Sequence, residues 1–207
     1  MKKGILYTLF FTLVVSVCII ACKKEETPAI VTTTPPPPVK YTVAEIQTNS
    51  GNTILWLYDK TPLHKNNFLK LIRQGFYDNL LFHRVVKNFV IQGGDPLGDG
   101  TGNYIESGNP RFIKLEVDPN LKFDRPGRVG MARTSDPNSA SCQFFIALQS
   151  LPSLNPGGVD PYGYAVFGQV TEDTFETVKA IVKDSKPAFP GSDKPANPVK
   201  MYTITLQ

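Results

Sequence analysis

The sequence predicts a mainly β domain, a closed antiparallel barrel capped by two α-helices. Two observations carry that expectation. Short segments of alternating apolar and polar residues recur along residues 41–207 with turn residues between them, and two longer stretches repeat their apolar residues at helical spacing. About 165 residues remain once the amino-terminal segments are set aside, ample for one core and short for two, so a monomeric single domain is expected.

Residues 41–58 open as a hairpin. Tyr41, Val43 and Glu45 alternate with Thr42, Ala44 and Ile46, then Asn49-Ser50-Gly51-Asn52 turns the chain and residues 53–58 return. Trp56, in the returning strand, is expected in the core. Thr61 is placed as the cap of a helix with Pro62 at its first position. Leu63, Phe68, Leu69, Leu71 and Ile72 supply its apolar face, and Gly75 ends it.

Residues 82–95, FHRVVKNFVIQGGD, form the next pair of strands. Side chains two apart share a face in an extended chain, so His83, Val85 and Lys87 point one way and Phe82, Arg84 and Val86 the other. Phe89 and Ile91 likewise oppose Val90 and Gln92, and Gly93-Gly94 gives the backbone freedom where side chains would obstruct a turn or a ligand. An arginine among phenylalanines, with a glutamine close by, describes an apolar cleft with polar donors. Further strands are expected at residues 112–117, 128–133, 143–148 and 164–170. Thr171 is placed as the cap of a second helix over residues 172–183, with Phe175, Val178, Ile181 and Val182 on one side, and residues 199–206 alternate as the last strand.

The amino terminus reads differently. Lys2 and Lys3 precede an apolar run over residues 5–20 that ends on small Ala21, the pattern of a signal peptide over residues 1–21. Ile19-Ile20-Ala21-Cys22 resembles the lipobox of bacterial lipoproteins, so Cys22 is expected to become a lipidated amino terminus in the cell envelope, at the outer membrane. An uncleaved transmembrane anchor is the alternative, and either arrangement tethers the domain outside the cytoplasm. Lys23-Lys24-Glu25-Glu26 resembles the export signal of some surface-displayed lipoproteins, with solvated charge beside a bilayer as the plainer reading. Residues 27–40, with four consecutive prolines from Pro35 to Pro38, lack apolar periodicity and favour an extended spacer. Residues 23–40 would then hold the domain up to about 55 Å from the lipid at roughly 3.1 Å per residue.

The formal charge of +4 falls to +2 once Lys2 and Lys3 leave with the signal, so no nucleic-acid partner is expected. Of three cysteines, Cys18 leaves with the signal and Cys22 is assigned to lipid, which leaves Cys142 alone, a small packing residue with no disulfide available. The two histidines, His64 and His83, and one free cysteine do not form a ligand set, so no metal or organic cofactor is expected.

FHRVV, then NFVIQGGD, GTG, MAR and SCQFFI resemble, in residues and order, the cyclophilin-type peptidyl-prolyl cis-trans isomerases. The resemblance spans roughly residues 41–207. It implies eight strands, which the pattern alone does not count, and a reaction in which an X-Pro amide rotates with no bond made or broken. Arg84 matches the family's catalytic arginine, with Gln92 and Phe89 beside it. Gln92 and Gln143 match the groups that orient the peptide, while Phe89, Val90, Phe145 and Leu154 match the pocket for the proline ring. Gly100, Ala132, Arg133 and Thr134 match the rim that bonds the flanking residues. His83 is read as structural, since no proton transfer is needed.

The chain departs from the best-known eukaryotic pattern at the rim. Ser153 stands at the place of a pocket tryptophan, Tyr164 at that of a pocket histidine, and Arg133 replaces the asparagine of a MAN segment. The loop over residues 155–163 is longer, with Pro156, Gly157, Gly158 and Pro161, and is expected to bring Tyr162 or Tyr164 over the cleft. The implied partners are proline-containing segments of exported or envelope proteins. A proline-peptide docking module and a barrel for an unrelated small ligand stand as alternatives, separated from an isomerase by a turnover assay on a proline peptide.

Overall fold

The computed structural model describes residues 41–207; the expected signal peptide, the expected lipidation at Cys22 and the Pro-rich spacer lie outside the described residues. Strands β1 (Thr42–Thr48) and β2 (Gly51–Leu57) form the expected hairpin, in register from Thr42 opposite Leu57 to Thr48 opposite Gly51. Helix α1 (Pro62–Arg73) follows, then β3 (Arg84–Val86) and β4 (Val90–Gly93). A small separate hairpin, β5 (Ile105–Glu106) with β6 (Asn109–Pro110), precedes β7 (Arg128–Met131), β8 (Phe144–Ala147) and β9 (Val166–Val170). Helix α2 (Phe175–Asp184) and β10 (Met201–Leu206) complete the chain.

Eight of these strands make one antiparallel sheet in the order β10-β1-β2-β9-β7-β8-β4-β3. The expectation of a closed barrel is corrected: the sheet sweeps 228° and remains an open half-barrel. Its end strands, β10 and three-residue β3, form no ladder with each other. The chain between α1 and β3 meets the β10 edge and the residues just past β4 only locally. Leu81 bridges Asp95 and Lys200, the Phe82 N–H donates to the Val199 carbonyl at 2.9 Å, and the Met201 N–H to the Leu80 carbonyl at 2.8 Å.

Helix α1 contributes Phe68 and Leu71 to a core shared with Ile46, Leu55, Leu57 and Phe167, all fully buried. Phe68 is the hub, with ring centroids of Tyr77, Phe167 and Phe144 at 5.0, 5.2 and 5.3 Å, the first two rings tilted against it and Phe144 edge-on. Cys142 is buried here and burial pushes its thiol up to about 11, so it stays protonated as packing. Helix α2 seals another side with Val178 and Ile181.

Tertiary placement overrides local pattern at several residues. Trp56 is 40 % exposed, not core, because Thr53, Leu55 and Leu57 take the inward positions of β2 and strand alternation turns Trp56 outward. There it stacks on Tyr41, with centroids 5.2 Å apart. In α1, Leu63 is exposed while His64 takes the inward position and is fully buried. Residues 112–117 form no strand; a lone bridge between Ile113 and Ala140 and a bond from the Leu115 N–H to Asn138 Oδ1 (3.0 Å) hold them. Of residues 82–87, the strand itself covers Arg84–Val86, and Phe82 and His83 are both buried ahead of it. The second helix opens with a 3₁₀ turn, Glu172–Thr174. Neither Thr61 nor Thr171 caps through its side chain: the Thr61 hydroxyl donates to the Val166 carbonyl at 3.1 Å, and the Thr171 hydroxyl pairs with that of Thr174 at 2.8 Å. Among the described residues, no helix is long and apolar enough to cross a membrane.

Candidate active site

Three short strands bring the polar residues together by register. Arg84 of β3 lies opposite Gln92 of β4, and Gln92 lies opposite Phe145 of β8. Their side chains form a relay: Arg84 Nη1 donates to Gln92 Oε1 at 3.4 Å, and Gln92 Nε2 to Gln143 Oε1 at 2.9 Å. Gln143 Nε2 in turn donates to the carbonyls of Gly102 (2.8 Å) and Gly100 (3.1 Å). Each amide thus has its orientation set by the next, and the chain of bonds ends on backbone.

The loop at that end is organised by Asp95, which sequence reasoning passed over. Its buried carboxylate accepts from the N–H groups of Leu97 (3.0 Å), Asp99 (2.9 Å) and Gly100 (2.5 Å). Gly100 sits at φ +95°, a conformation side chains disfavour.

Beside the relay is a cavity of about 150 Å³ lined by Phe89, Val90, Ala132, Phe145, Leu154 and Tyr164, with Arg84, Gln92 and Arg133 at its polar edge. A space this small suits one ring rather than an organic cofactor. Phe145 stacks on Phe123 (5.4 Å, 20° between planes), and Tyr164 meets Phe145 edge-on (5.8 Å, 84°). Gly130 beneath them is obligatory: a Cβ there would come within 2.4 Å of the Phe145 ring and 2.7 Å of Phe123. A second cavity of about 310 Å³ adjoins across Gln92 and Arg133, lined also by Gly100, Thr101, Thr134 and Gln143.

The sequence-assigned residues therefore lie around two neighbouring cavities, but their side chains have unequal freedom. Arg133 borders both cavities but its side chain is tied down, with 1 % of it exposed. It donates to the Gly163 carbonyl (Nη2 2.7 Å, Nε 3.2 Å), to the Thr134 carbonyl (2.8 Å) and to the Asp160 carboxylate (2.6 Å). Its guanidinium also lies 4.5 Å from the centre of the Tyr164 ring. Arg133 thus pins the long loop and backs the pocket wall, and its hydrogen bond holds the Asp160 carboxyl below its usual range. Of the two loop tyrosines, Tyr164 lines the cleft, while Tyr162 is 55 % exposed and lines neither cavity. Ser153 is exposed and its carbonyl accepts the Val159 N–H at 2.9 Å.

Arg84 stands between the relay and Asp193, whose Oδ2 accepts from its Nε (3.1 Å) and Nη2 (3.0 Å). Its guanidinium carbon lies 5.9 Å from the Phe89 ring centre. Nothing local in the sequence marks Asp193, which lies 109 residues further along the chain. His83 lines neither cavity, both its nitrogens lack a partner, and burial lowers its pKa. Among the described residues no group of three His, Cys, Asp or Glu side chains is placed to hold a metal. What the site offers is a fixed cation and two amides beside an apolar pocket, which suits electrostatic work on a peptide.

The family model for "Cyclophilin type peptidyl-prolyl cis-trans isomerase/CLD" matches residues 43–206. A peptidyl-prolyl cis-trans isomerase of Streptomyces antibioticus is 37 % identical over 80 % of the chain and 98 % of its own length. Peptidyl-prolyl cis-trans isomerase 9 of Schizosaccharomyces pombe is 38 % identical over 79 % of the chain, which spans 25 % of that longer relative. The crystal structure of a cyclophilin-type isomerase from Cryptosporidium parvum superposes with a TM-score of 0.71 at 34 % identity, covering 81 % of this chain and 98 % of that one.

Proposed function

The chain is a cyclophilin-type peptidyl-prolyl cis-trans isomerase, and from that membership we propose that it turns X-Pro bonds in exported or envelope proteins while tethered to the membrane by a lipid on Cys22. The observation that carries the chemistry is the Arg84–Gln92–Gln143 relay beside the 150 Å³ pocket.

The barrier belongs to resonance in the amide, which makes unaided rotation take tens to hundreds of seconds. Reaching about 10³ s⁻¹ requires an acceleration near 10⁵, or roughly 7 kcal/mol, from interactions stronger in the twisted state than in the planar one. In this reading the proline ring enters among Phe89, Phe145, Leu154 and Tyr164, and Gln92 and Gln143 fix the adjoining backbone. Arg84 then donates to the proline nitrogen as it loses conjugation. Its guanidinium cannot give up its proton, so the contribution is electrostatic. A charged hydrogen bond contributes about 1.5–3 kcal/mol. Orientation in the pocket and the exclusion of water from the amide supply the rest. Turnover of an X-Pro peptide, with its loss on changing Arg84, tests this assignment.

The tether rests on the apolar run followed by Ile19-Ile20-Ala21-Cys22. Cys22→Ser is expected to move the domain from membranes to the soluble fraction. A variant that stays membrane-bound with its leader uncleaved would replace the lipid by a transmembrane anchor.

The rim also sets the response to cyclosporin. Ser153 stands where the family's tight binders carry an indole that donates a hydrogen bond and packs a ring, and Tyr162, the aromatic of the long loop, does not line the cavity in its place. Losing one hydrogen bond and much of an aromatic contact is expected to weaken the drug by at least about 2 kcal/mol, some thirtyfold. Ser153→Trp should recover part of that affinity while peptide turnover changes less. Tight inhibition of the unmodified protein would contradict this reading of the rim.

A further inference from the structure

We propose that Asp193 is the positioning residue for Arg84, holding its guanidinium in the orientation from which it acts on the amide; the inference rests on the role assigned to Arg84 above. One carboxylate oxygen takes both Nε (3.1 Å) and Nη2 (3.0 Å), a side-on pairing that fixes the guanidinium plane. Nη1 is left facing Gln92 and the cavity.

The segment carrying Asp193 is constructed for the purpose. Its base is closed by a bridge between Pro187 and Pro195 and by bonds from the Ala196 N–H to the Lys186 carbonyl (2.7 Å) and the Ala188 N–H to the Lys194 carbonyl (2.8 Å). The Asp193 carbonyl accepts the Val85 N–H at 2.8 Å, so the residue is registered against the very strand that carries Arg84. Pro187, Pro190 and Pro195 restrict the backbone, and Gly191 at φ +83° makes the turn that aims Asp193 at its partner.

The pair is half exposed, with 37 % of the Arg84 and 50 % of the Asp193 side chain accessible. A pair so open to water contributes little to stability. Its consequence is kinetic: a long, rotamer-rich side chain is ordered before substrate arrives, so less ordering remains for the transition state.

In the full chain, Asp193→Ala is expected to lower kcat/KM about three- to thirtyfold, carried by kcat more than KM, with the melting temperature nearly unchanged. Asp193→Glu should restore part of the loss. In an Arg84→Lys background, where no planar fork forms, Asp193→Ala should cost nothing further. Unchanged or raised turnover in Asp193→Ala overturns the proposal, as does an equal fractional loss in both backgrounds. If Arg84→Ala leaves turnover intact, the role of Arg84 fails and this inference falls with it; if Arg84→Ala is crippled while Asp193→Ala is not, only this inference fails.

Discussion

Arg84→Ala is expected to lower kcat/KM by about one to three orders of magnitude, roughly 1.4–4 kcal/mol, while the domain stays folded. The lower bound is the net value of one charged hydrogen bond, and the upper adds the electrostatic gain of a donor held beside an apolar pocket. Folding should survive because the side chain packs little: it lies on the edge strand β3, and its ionic partner Asp193 is exposed enough to be solvated once alone. Substrate binding should suffer less than turnover, since Phe89, Phe145, Leu154 and Tyr164 are untouched. Peptide isomerisation measured alongside circular dichroism decides it, and a folded variant with full activity would remove Arg84 from the mechanism.

The second large effect is on stability and comes from His64. It sits on the inward face of α1, fully buried, with neither ring nitrogen bonded, and burial lowers its pKa from 6.5 to about 4. Because the folded-state value is the lower one, the unfolded chain takes up the proton first as pH falls. The neutral form's contribution is therefore intact above pH 6.5 and is lost progressively down to about pH 4. The difference between the two pKa values corresponds to about 3 kcal/mol. Urea unfolding at pH 7.5 and pH 4 should show a loss of that order, and His64→Leu should remove most of it. His83, lowered in the same direction by burial, adds a smaller decline that persists in that variant. Asp124, held at about 2 by its bonds from Arg125 and Arg128, acts at lower pH. A His64→Leu chain that lost as much stability over the same interval would place the acid sensitivity elsewhere.

Much of the fold was legible because it is local. The β1–β2 hairpin follows from alternation around a turn at Gly51, and α1 from Pro62 at its first position and an apolar stripe ended before Gly75. Residues 112–117 misled because an apolar-polar alternation needs a neighbouring strand to become a ladder, and only Ala140 meets it. Trp56 and Leu63 misled for a related reason: hydrophobicity ranks residues, whereas the face available to each is set by its neighbours in the element. The number of strands came from resemblance, and closure of the barrel was expected where the sheet stays open.

The chain's own pattern places Arg84 and Gln92 among apolar residues over 82–95, because a pleat fixes the direction of each residue from its neighbours. It also determined the family, through motifs kept in order. How those side chains are held follows from contacts between distant segments. Asp193 reaches Arg84 across 109 residues, Gln143 reaches Gln92 across 51, and Arg133 is tied down by a loop carbonyl 30 residues away. Hydrogen bonds of that span depend on where whole elements come to rest, and no periodicity in the chain encodes the meeting point of two distant loops.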